Sequence, residues 1–79
     1  MEKAYKITLK HLANNVRQRR KSLHLSQEEL ALRAGVDRTY VSQIERRVSN
    51  PSLLILSRLS DVLQMDVTQL LSPPVPEKG

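Results

Sequence analysis

The side chains in this sequence that could do chemistry are charged and hydrogen-bonding groups rather than nucleophiles or metal ligands. The absence of cysteine excludes disulfides, thiolate metal sites and a thiol nucleophile. Two histidines, His11 and His24, are too few for an imidazole cage and read as a helix-surface and a turn residue. There is no glycine-rich phosphate loop and no cleft-like pair of carboxylates, so neither an enzyme nor a cofactor or metal is expected. What remains is positive charge. Residues 1–50 hold eleven Lys/Arg against five Asp/Glu, whereas residues 51–79 hold two against three. A basic front half beside a near-neutral, leucine-rich back half points to a polyanion-binding surface and a separate packing or pairing surface. Two tyrosines with no Phe or Trp supply no stacking platform for single-stranded nucleic acid. Double-stranded nucleic acid and an anionic membrane surface are left as polyanions.

The elements that must position these charges all carry a helical period. Leu9, Leu12, Ala13, Val16 and Leu23 follow the i, i+3, i+4, i+7 pattern and predict a first helix over Thr8–Ser22. Ser26 and Glu29 form a Ser-x-x-Glu capping box that opens a second helix, Gln27–Ala34, closed by Gly35. Asp37 caps a third helix over Arg38–Arg46, with Val41 and Ile44 as its apolar contacts. Ser52 caps a fourth, Leu53–Gln64, and Asp66 a short fifth that ends at Leu71. Residues 1–7 are expected to form an N-terminal arm, and 72–79, with three prolines, a disordered tail. The expected fold is all-α, with five helices over residues 8–71. At 79 residues a chain buries only about 60% of its unfolded surface, so a lone monomer is marginal.

Residues Gln27–Arg46 have the spacing of a helix-turn-helix. Ala31 is small where two helices cross, Gly35 sits at the tight turn, and Leu30, Val36, Val41 and Ile44 fill the wedge. The segments L-S-Q-E-E-L-A (25–31), A-G-V-D-R-T-Y-V-S-Q-I-E-R (34–46) and N-P-S-L (50–53) resemble the Cro/C1-type, or XRE, family. The similarity runs over about Leu9–Leu71, and the third helix resembles that of small controller proteins of restriction–modification systems. It implies a lambda-repressor-like DNA-binding domain.

On that resemblance the third helix enters the major groove of DNA, with Arg38, Thr39, Ser42 and Gln43 facing bases. Gln27, Tyr40, Arg46, Arg47, Ser49 and Asn50 are the implied phosphate contacts. Arg20 and Glu45 match a structural ion pair that ties the first helix to the third. Two positions depart from the family: His24 and Arg47 stand where glycine is frequent. Either each tolerates a left-handed backbone at a cost of about 1–2 kcal/mol, or the Arg47–Ser49 loop is rearranged.

The fourth helix is more apolar than one core stripe requires. Leu53, Leu56, Leu59 and Leu63 suffice for that stripe. Ile55, Val62, Met65, Val67, Leu70 and Leu71 are therefore expected to form a homodimer interface. The sequence reads as a cytoplasmic, dimeric regulator of transcription on a palindromic operator, with no membrane or small-molecule partner. An antitoxin whose back half binds a toxin, and which represses its own promoter, is the alternative.

Overall fold

The computed structural model describes residues 2–74, and the regular structure among them is helical. In order the elements are α1 (Glu2–Ser22), α2 (Gln27–Ala34), α3 (Arg38–Glu45), α4 (Leu53–Leu63) and α5 (Val67–Leu71). The expected all-α, five-helix architecture is present. α3 lies against both α1 and α2, α4 against α2, and α5 returns to α1. Val16, Leu30, Val41, Leu59, Leu63 and Leu70 are fully buried where these elements meet. Ala31, equally buried, keeps the approach of α2 to α3 clear of bulk.

One boundary needs correction. α1 begins at Glu2, so residues 2–7 of the expected arm are helix, and Met1 lies outside the described residues. Residues 2–7 are exposed throughout, so no apolar period announces them. Thr8, the expected helix start, donates its hydroxyl to the Ala4 carbonyl at 3.0 Å, a bond back along a continuing helix. Glu2 in the first turn suits the positive end of the helix dipole.

The back half also differs from expectation. Leu70 is fully buried in the core and contributes nothing to an outer surface. Ile55, Val62, Met65, Val67 and Leu71 are half-buried against the same core. Leu53 is 69% and Leu54 60% exposed, so the apolar surface of this half is the first turn of α4. Leu53 lies too near the start of α4 to reach a core that begins in earnest at Leu56. The expected disordered tail is corrected at its first residue. Ser72 closes α5, and its carbonyl accepts from Asn15 Nδ2 at 2.7 Å. Residues 75–79 lie outside the described residues.

Four helices end in the same way, on a residue with left-handed backbone: His24 (φ 58°), Gly35 (69°), Arg47 (62°) and Gln64 (58°). After each, the next amide returns to a carbonyl five residues back, as in Val36 to Ala31 and Val48 to Gln43, both 3.0 Å. Only one of the four is glycine. The glycine-poor positions expected at His24 and Arg47 are indeed left-handed, and Gln64 adds a third that no sequence signal marks. Each costs about 1–2 kcal/mol relative to glycine before the greater chain entropy of glycine is counted. Gln64→Gly is therefore expected to raise the melting temperature by several degrees, for a net gain of about 0.5–1 kcal/mol, measurable by calorimetry.

Candidate nucleic-acid interface

α3 is an eight-residue helix whose orientation is set by a few bonds. Asp37 caps it by accepting the Thr39 amide at 2.8 Å. Hydrogen bonding from Thr39, through its hydroxyl and its amide, holds the Asp37 carboxyl below its ordinary value. Val41, Ile44 and Glu45 turn inward. At about 100° per residue, Thr39, Gln43 and Arg46 then fall on the opposite strip, with Arg38 and Ser42 along one side and Tyr40 along the other. Arg38, Thr39, Tyr40 and Arg46 are exposed, while Ser42 and Gln43 are half-buried with an edge open to solvent. Arg47 and Asn50 are exposed just beyond the helix and Ser49 is half-buried. Thr39, Gln43 and Arg46 thus share the outward strip of α3 with Arg38, Ser42 and Tyr40 at its edges, Arg47, Ser49 and Asn50 follow the helix in the chain, and Gln27 lies on the inner side against Glu45.

Glu45 is the charged exception to a mostly apolar interior, in which Asn15 is the other buried polar side chain among the described residues. Its side chain has no exposed surface, and Arg20 forks onto it through Nε to Oε2 at 2.7 Å and Nη2 to Oε1 at 2.9 Å. Arg20 also donates Nη1 to the Leu25 carbonyl at 2.9 Å, so one guanidinium grips both α3 and the turn before α2. Arg17 Nε reaches Oε1 at 3.3 Å and Gln27 Nε2 reaches the same oxygen at 3.2 Å. Burial by itself pushes the Glu45 carboxyl up, but hydrogen bonds from Arg20, Gln27 and Arg17, with the Arg20 charge, leave it below the usual range.

Two of these ties are not legible in the residues. The sequence presents Arg17 as one of several surface cations, although its i, i+3 spacing to Arg20 places both on one helix face. Gln27, expected at a phosphate, has part of its amide already committed to Glu45. Its remaining amide hydrogen and the unpaired backbone donors of the α2 N-terminus stay available there. Further side chains from distant positions close helix ends. Arg19 donates to the Leu63 carbonyl at 2.8 Å and Arg58 to that of Gly35 at 3.0 Å.

This arrangement, a capped helix held across a second through a small residue and a left-handed turn, has a match among known sequences. Residues 16–70 fit the helix-turn-helix family model. The chain belongs to the Cro/C1-type helix-turn-helix family. A Neisseria meningitidis hypothetical transcription factor is 44% identical over 63 residues, 80% of this chain and 59% of its own. The chain therefore spans somewhat under two thirds of that relative. The crystal structure of the Neisseria protein superposes with a TM-score of 0.77. The restriction–modification controller protein C.AhdI from Aeromonas hydrophila is 35% identical, with a TM-score of 0.73 over 78% of this chain and 94% of that one. SinR of Bacillus subtilis is 41% identical over 61 residues, 76% of this chain and 55% of its own. A structure of the biofilm master regulator SinR in complex with DNA gives a TM-score of 0.73 at 40% identity, covering 77% of this helix-turn-helix chain and 98% of that one.

The Glu45 cluster makes a stability prediction. Arg20→Ala strands a buried carboxylate and is expected to cost about 3 kcal/mol, whereas Arg17→Ala, at an arginine whose side chain is 54% exposed, is expected to cost under about 1 kcal/mol. Because the folded carboxyl is depressed, its contribution is complete above the unfolded glutamate value of about 4.3 and is lost as pH falls through the lower folded value. Glu45→Gln is expected to flatten the acid limb of the stability profile in urea titrations without abolishing it, since Glu29, Asp37 and Asp66 are depressed as well.

Proposed function

We propose that the protein is a sequence-specific reader of double-stranded DNA, a cytoplasmic transcription regulator of the controller type. The observation that carries this reading is the outward strip of α3. Hydrogen-bonding and cationic side chains occupy that strip on a helix pinned at its N-terminus by Asp37 and at its C-terminus by Glu45. Arg38 is assigned to guanine O6 and N7, and Thr39, Ser42 and Gln43 to neighbouring base edges. Gln27, Tyr40, Arg46, Arg47, Ser49 and Asn50 are assigned to phosphates, which set register and not sequence. Its resemblance to a controller protein and to a regulator solved on DNA supports the assignment. No helix among the described residues is long and apolar enough to cross a membrane.

We further assign the chain to a homodimer on a palindromic operator. Exposed Leu53 and Leu54 on the first turn of α4, and half-buried Ile55, Val62, Met65, Val67 and Leu71, are assigned to the contact with a second copy. Two copies place their α3 helices about 34 Å apart, one turn of the duplex.

Selection of bound sequences from a random duplex pool defines the half-site. Arg38→Ala is then expected to lose about 1–3 kcal/mol of discrimination at one base pair and to leave non-specific binding nearly intact. Equal losses on specific and random DNA would make Arg38 a phosphate contact. Light scattering at micromolar concentration is expected to give twice the chain mass; a monomer mass there rules out the dimer.

A further inference from the structure

The helical extension of α1 at residues 2–7 opens a surface outside the helix-turn-helix. Lys3, Lys6, Ile7 and Lys10 line a shallow groove that Arg47, from the turn after α3, completes, with Glu2 at its outer end. Spacings of three and four residues put the three lysines within a narrow arc of one helix face. All three are exposed. None of them has an acidic partner within ion-pair distance among the described residues. Arg47 holds its place there on a left-handed backbone (φ 62°) that glycine would occupy without strain. It directly follows Arg46, so the groove on the first three turns of α1 adjoins the turn that ends α3.

We propose that this groove is an accessory DNA-backbone site, through which each protomer grips phosphates flanking the half-site that α3 reads. The proposal rests on the reading of α3 as the base-contacting helix and extends its footprint outward. Lys3 and Lys10 are about 10 Å apart along the helix, at 1.5 Å per residue. That distance equals about three steps of axial rise at 3.4 Å each, the span of roughly four successive phosphates of one strand. An anionic membrane is a poorer fit, because Tyr5 and Ile7 are the only exposed large apolar side chains of the extension, too few for an inserting face. Backbone-binding groups of this kind carry no sequence information; they raise affinity and salt sensitivity.

The experiment compares two duplexes, the selected operator trimmed to its specified base pairs and the same operator with about 10 added base pairs on each side. The wild-type protein is expected to bind the longer duplex about tenfold more tightly. The triple variant Lys3→Gln, Lys6→Gln, Lys10→Gln, with helicity checked by circular dichroism, is expected to bind both alike. Its log–log salt slope on the longer duplex is expected to shrink by about 0.9 for each phosphate it no longer neutralises. Arg47→Gly, which relieves the left-handed strain and removes a phosphate contact also assigned to the α3 footprint, is expected to gain stability while binding both duplexes more weakly, the longer one by more, so charge is separated from folding. A triple variant that retains the full wild-type preference for the longer duplex overturns the site. So does a variant that loses affinity equally on both, or one whose DNA binding is unchanged while pelleting with phosphatidylserine vesicles is lost. If neither protein distinguishes the operator from random duplex, the reading of α3 itself falls and takes this inference with it.

Discussion

A buried carboxylate near the end of α3 sets the geometry on which the rest of the molecule depends. Glu45 stands where the helix dipole disfavours negative charge and where no water reaches it. It is tolerable only because Arg20, Arg17 and Gln27 converge on it from α1 and from the first residue of α2. Such a group constrains more than an apolar side chain of the same size. A leucine could slide, but a forked guanidinium on a carboxylate allows only a narrow range of distances and angles. The consequence is that α1, α2 and α3 share one frame, and the outward strip of α3 inherits its direction from a bond made on its inner side.

The second constraint is the shortness of the helices. Elements of five to eleven residues after α1 are marginal on their own, and their free carbonyls are a large fraction of their hydrogen-bonding groups. The fold answers with left-handed closures and with side chains sent from elsewhere in the sequence. Asn15, buried within α1, donates to the carbonyls of Gln69, Leu70 and Ser72, which secures α5 to the first helix. Arg19 and Arg58 do the same for α4 and α2. In a domain without cysteine these ties take the place of covalent ones.

Local chemistry is the legible part of the chain. Capping boxes at Ser26 and Asp66, caps at Asp37 and Ser52 and the glycine at the tight turn each act within four residues, so they can be read along the sequence. Apolar spacing marks the core face of every helix to within a residue or two. It fails where no burial exists to leave a period, over residues 2–7, and where a stripe runs past the end of the core, at Leu53. It also fails for Leu70, because a five-residue helix lies too close to its neighbours for spacing alone to separate inner from outer. Nothing in the sequence marks Gln64 as left-handed, although it closes α4 with the Met65 amide returning to the Ser60 carbonyl.

Residues close together along the chain set the five helices, the caps at Ser26, Asp37, Ser52 and Asp66, the helix-turn-helix that places this chain in its family, and which half carries the charge. Helix crossing brings Arg17 and Gln27 to join Arg20 on Glu45, lets Asn15 hold α5, and sets lysines of α1 beside Arg47. The division has one physical cause. Helix periods and caps are short-range and written in neighbouring residues, whereas convergence of side chains separated by 18 to 57 positions depends on how the finished helices cross.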